Sequence, residues 1–87
     1  MNIEQTLEER GHRYGEYLNH AVITQDLKRV MHLTPNWSKL PSDQKETLEM
    51  IAHKIGRILN GDPMYHDSWH DIMGYAKLSA DLLLLKA

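Results

Sequence analysis

The chain has no cysteine and no phenylalanine, and only three prolines and two tryptophans among its 87 residues. Without thiols it can form neither disulfides nor thiolate zinc sites, and a reducing cytoplasm is the compartment that fits. Without phenylalanine, aliphatic and methionine side chains must fill the core. No apolar run approaches the ~20 residues of a membrane span, and Leu82-Leu83-Leu84-Leu85 is too short. A net charge of −2 gives no global signal for nucleic acid, so any basic surface is local. Internal repeats, linkers, low-complexity tracts and strand-like alternation are all missing. No Ser-His-Asp or P-loop pattern occurs, which leaves nucleophilic hydrolysis and Walker-type ATP binding without support. A chain this short forms one domain with a marginal core, and such domains often gain stability by oligomerising.

What remains is helical periodicity. Residues 3–10 read as a short helix stopped by Gly11, with Gly11 to Gly15 as a loop whose glycines are free to take positive φ. A second helix is expected from Glu16 to Leu33, carrying Ile23, Leu27, Val30 and Met31 as its apolar stripe. Pro35 and Pro41 break the chain after it. Ser42 or Asp43 can cap a third helix, with Asp43 and Glu46 at capping-box spacing. That helix runs to Leu59. Leu48, Ile51, Ala52, Ile55, Ile58 and Leu59 form its apolar face, and Glu46, Glu49, His53 and Arg57 fall opposite. Gly61 supplies a left-handed cap and Pro63 prevents continuation. The last helix spans Asp67 to Lys86. Trp69 and Tyr75 are expected in the core, Gly74 at a close helix approach, and Trp37 as the anchor of the long connection. The expected fold is all-α: a small bundle of three main helices plus a short N-terminal one, completed by oligomerisation.

The chemistry-bearing residues cluster in the second half. Glu46 and Glu49 lie three apart and Asp67 and Asp71 four apart, so each pair shares a helical face. Packed antiparallel, the two helices can direct four carboxylates towards one Mg²⁺ or Mn²⁺, a hard cation that also holds substrate phosphates. Solvated helix surfaces and a cap at Asp67 explain the same residues without a metal. His66 and His70, four apart, have the spacing for zinc, although H-E-x-x-H is absent. Around the first glycines, Arg10, His12, Arg13 and Tyr14 gather positive charge, with arginine suited to phosphate and Tyr14 to stacking on a base. Leu78 and Leu82 to Leu85 surround the last helix instead of lining one stripe, which points to a second protomer covering it.

Arg13-Tyr14-Gly15, E-x-x-E at Glu46 and Glu49, K-x-x-R at Lys54 and Arg57, Gly61-Asp62-Pro63, and D-x-x-x-D-x-x-x-Y from Asp67 to Tyr75 appear in that order. In this the chain resembles the MazG-like all-α nucleoside triphosphate pyrophosphohydrolases, particularly their short phage and prophage forms, over most of residues 8–83. The resemblance implies a Mg²⁺-dependent NTP or dNTP pyrophosphohydrolase in the cytoplasm of a host cell. Glu46, Glu49, Asp67 and Asp71 would bind the metal, Glu46 and Glu49 activating water, with Arg13, Lys54 and Arg57 on phosphate and Tyr14 on the base. The family's second acidic motif is usually E-x-x-D, whereas this chain spaces its two aspartates by four. The alternative is a non-catalytic phage accessory protein that sequesters a nucleotide signal or blocks a host defence protein. Self-association through the C-terminal helix is expected in either case, with neither membrane nor nucleic acid as a partner.

Overall fold

The computed structural model describes residues 2–86, which contain four α-helices, one 3₁₀ turn and no strand. Helix α1 (Ile3–Tyr14) starts in a capping box. Asn2 Oδ1 accepts from the Gln5 amide at 2.9 Å while Gln5 Oε1 accepts from the Asn2 amide at 3.1 Å. It passes through Gly11, contrary to the stop expected there, because helical backbone costs a solvent-facing glycine only propensity. Termination falls to Gly15, whose φ of 78° lies in the left-handed region. Helix α2 (Tyr17–His32) leads to a 3₁₀ turn at Trp37–Lys39, followed by α3 (Ser42–Asn60) and α4 (His66–Lys86).

Helix α3 is the middle of the molecule, packed on α2 along one side and on α4 along the other. Its partners run antiparallel to it: Glu49 faces Lys28 and His53 faces His20 on α2, while Thr47 meets Ser79 and Lys54 meets Asp71 on α4. Small residues set the approach of α2 to α3. A Cβ on Gly56 would stand 2.6 Å from Thr24 Cγ2 and 3.0 Å from the His20 ring, so the two helices meet as closely as glycine permits. On the other side the Thr47 and Ser79 hydroxyls bond at 2.7 Å. Asp43 also points here, accepting from Ser79 Oγ at 3.0 Å. It therefore caps nothing, and Pro41 stands at the N-cap with no side-chain bond.

The core differs from the expected apolar one. Ala52, 2% exposed, is the buried hydrophobic residue among those described, and His20, Thr24, Lys54, Ser68 and Ser79 are the buried polar ones. The stripe of Leu48, Ile51, Ile55 and Ile58 is only partly covered. Helix α3 buries its two flanks and leaves the apolar ridge between them half open. Trp69, expected in the core, is 52% exposed and donates its indole N–H to the Pro63 carbonyl at 3.0 Å. Tyr75 is half-buried, and nothing approaches Gly74 within 4 Å. Trp37 does anchor the connection, its ring centroid 4.5 Å from that of His32. No described helix is long and apolar enough to cross a membrane.

Candidate functional site

The end of α1 and the end of α3 interlock, and that junction builds a cleft. Asn60 donates its side-chain amide to the carbonyls of Tyr14 and Glu16, both at 2.9 Å, and the Asp62 amide donates to the Arg13 carbonyl at 2.7 Å. Both glycines of the junction are sterically required. A Cβ on Gly61 would lie 2.1 Å from the Arg13 carbonyl oxygen, and one on Gly15 would lie 2.2 Å from that of Asn60. Gly61 has φ −117°, so it serves close backbone approach and not the left-handed cap read from sequence. R-Y-G and N-G-D are thus two halves of one clamp.

Above the clamp lies a cleft of about 530 Å³ between α1, α2 and α3, with Leu7, Arg10, Tyr14, Tyr17, His20, His53 and Arg57 among its walls. The Arg57 guanidinium stands 4.1 Å from the Tyr14 ring centroid, within the range of a cation–π contact. His20 Nε2 and His53 Nδ1 lie 3.2 Å apart in a hydrogen bond that needs one ring to donate and the other to accept. Burial, reinforced by the nearby Arg57 charge, pushes His53 from 6.5 down to about 4. Burial likewise lowers His20. The pair is therefore neutral at pH 7 beside a permanent cation. A site with aromatic walls, a guanidinium and neutral imidazoles can take a planar ring carrying an anionic group.

The other residues singled out from sequence lie elsewhere. Arg13 turns from the cleft to Glu9 Oε1 (2.7 Å) and the Tyr65 hydroxyl (3.2 Å), and Tyr65 in turn donates to Asp67 Oδ2 at 3.1 Å. Lys54 is buried against α4, 2.8 Å from Asp71 Oδ2, and holds that carboxyl below its ordinary range. Glu49 faces α2, 3.8 Å from Lys28 Nζ and 3.7 Å from His32 Nε2, while Glu46 borders a groove between α3 and α4. The structure brings together Tyr14 and Arg57 but does not gather the four carboxylates. Among the described residues no three His, Asp or Glu side chains are grouped as a metal would need. The rings of His66 and His70 stack at 5.8 Å on the surface of α4.

Sequence reasoning missed His20 and Tyr17 as cleft residues. His20 had a findable signal, since it lies three residues before Ile23 and seven before Leu27, on the face of the apolar stripe expected for that helix. Comparison with known families, with curated proteins and with solved structures finds no match to this chain.

Proposed function

We propose that this chain is a nucleotide-binding protein that takes a nucleoside phosphate in the α1–α2–α3 cleft. The observation carrying the reading is the Arg57–Tyr14 contact at 4.1 Å inside a cavity of about 530 Å³. That volume falls within the ~300–1,000 Å³ usual for small-ligand sites. Tyr14 or Tyr17 offers a face to the base, Arg57 and Arg10 offer forks to phosphate oxygens, and the His20–His53 pair offers a neutral donor or acceptor. Stacking and guanidinium contacts of this kind bind a nucleotide without requiring a metal. Sequestration of a nucleotide needs no chemistry beyond such binding.

Mg²⁺-dependent pyrophosphohydrolysis of an NTP or dNTP is the second reading, favoured by the order E-x-x-E, K-x-x-R, D-x-x-x-D along α3 and α4. In it Glu46, Glu49, Asp67 and Asp71 would hold Mg²⁺ or Mn²⁺. Bound metal would lower the pKa of its water and neutralise phosphate charge. Glu49 would have to exchange Lys28 and His32 for the metal, and Asp71 would have to exchange Lys54.

Calorimetric titration with each NTP and dNTP, with and without Mg²⁺ or Mn²⁺, tests the binding reading. Product analysis for monophosphate and pyrophosphate separates it from the second. Metal-independent binding lost in Arg57→Ala is the expected result. Absence of binding by any nucleotide at millimolar concentration overturns it.

A further inference from the structure

The protomer exposes more surface than a compact chain of its mass. It presents 6467 Å², whereas a folded monomer of 10.1 kDa is expected to present about 5,300 Å². Its radius of gyration, 14.9 Å, compares with about 12 Å for a compact domain of this length. The surplus, about 1,200 Å² for the one chain, exceeds the ~800 Å² that each partner contributes to a standard protein interface. A surplus of that size matches an interface left open.

Its location follows from α4. Two adjoining clefts, of about 400 and 470 Å³, share Tyr75 and Leu78 and together form a groove along this helix from His70 to Leu85. At 1.5 Å per residue the groove is about 22 Å long, or four helical turns. One turn in from its His70 end Gly74 leaves the floor bare, with nothing within 4 Å of where a Cβ would stand. The same helix carries apolar side chains beside the groove that can fill its counterpart: Met73, Leu83 and Leu84 are more than half exposed. Groove and side chains on one element make a self-complementary patch, as a two-fold interface requires. Asp43, Glu46 and Asp81 border the groove, which disfavours a nucleic acid.

We infer that a second copy of this chain seats its α4 antiparallel in the α4 groove of the first, forming a two-fold dimer with its axis near Leu78. The surface lies on the α4 side of α3 and shares no residue with the nucleotide cleft, so it stands or falls independently of nucleotide binding.

Sedimentation velocity at tens of micromolar is expected to give twice the 10.1 kDa protomer mass. Gly74→Leu places a side chain where the protomer is open, so its circular dichroism stays helical while association weakens by about tenfold or more. The chain has no cysteine, so Leu78→Cys introduces a single thiol. It is expected to cross-link to its counterpart under mild oxidation, whereas Val22→Cys on exposed α2 is not. A protomer mass for the wild type overturns the inference. A dimer that ignores Gly74→Leu and cross-links through residue 22 but not residue 78 overturns it as well, by placing the interface on α2.

Discussion

Arg57 holds its guanidinium 4.1 Å from the ring centroid of Tyr14, and one helical turn further on Asn60 donates to the Tyr14 carbonyl at 2.9 Å. The same end of α3 therefore fixes the backbone of Tyr14 and covers one face of its ring. Arg57→Ala removes the cation assigned to the phosphate, so nucleotide affinity is expected to fall about 10- to 100-fold in calorimetry. The accompanying stability loss should be about 0.5–2 kcal/mol, the range of a cation–π contact. Arg57→Lys keeps the charge but not the fork and should recover only part of the affinity. Equal binding by wild type and Arg57→Ala would move the ligand out of this cleft.

The glycines of the chain divide by what surrounds them. Gly61→Ala drives a methyl onto the Arg13 carbonyl and is expected to destabilise by about 1–3 kcal/mol, because a packed junction must open. Gly11→Ala has open space around it inside α1 and should stabilise by about 0.5–1 kcal/mol through helix propensity and a less flexible unfolded chain. Chemical denaturation of the two variants measures both signs. A Gly61→Ala protein as stable as wild type would show that the clamp between α1 and α3 does not form.

Both cleft histidines titrate below their ordinary value, His53 near 4. A group that is harder to protonate folded than unfolded contributes nothing above pH 6.5. Below it the unfolded state binds more protons, and stability falls. The melting temperature is thus expected to be flat from pH 8 to about 6.5 and to decline towards pH 4, with His53→Gln blunting the decline. An anionic ligand in the cleft favours the protonated ring and reverses the shift. Saturating nucleotide should therefore raise the His53 pKa seen by NMR, and affinity should increase as pH falls from about 6.5 towards 4. A His53 resonance titrating at 6.5 without ligand would refute its burial beside Arg57.

The helices were legible because their breaks are chemical: Pro35, Pro41 and Pro63 cannot continue a helix, and the apolar spacings are regular. Facing was less legible. The leucines and isoleucines of α3 make the strongest stripe, yet the flanks that pack carry Gly56, Ala52, Lys54 and Thr47. Close helix approach selects small residues, and hydropathy counts them as weak. Gly11 and Gly15 look alike in sequence and differ only because Gly15 meets Asn60 across the fold. Tyr14 and Arg57 stand 43 positions apart, and their adjacency depends on the same clamp. Spacing places the carboxylates in pairs along each helix, but it does not show that Lys28 stands beside Glu49 and Lys54 beside Asp71.

The ion pair of Lys54 and Asp71, 2.8 Å apart, decides between structure and metal chemistry on α4. The ammonium is buried while the carboxylate side chain is 40% exposed. Asp71→Ala therefore leaves a buried cation unpaired and is expected to lower the melting temperature, by less than a fully buried pair would because water reaches the vacated side. Lys54→Met replaces the cation with an apolar chain of similar length and should be near neutral, and it should also rescue Asp71→Ala in the double mutant. Removing Lys54 also frees Asp71 for other cations. If Asp71 is a metal ligand, Lys54→Met should bind Mn²⁺ more tightly than wild type, as read by electron paramagnetic resonance, and Asp71→Asn should abolish the gain. If Asp71 only neutralises Lys54, Mn²⁺ affinity stays unchanged in both variants, and the pyrophosphohydrolase reading loses its α4 ligand.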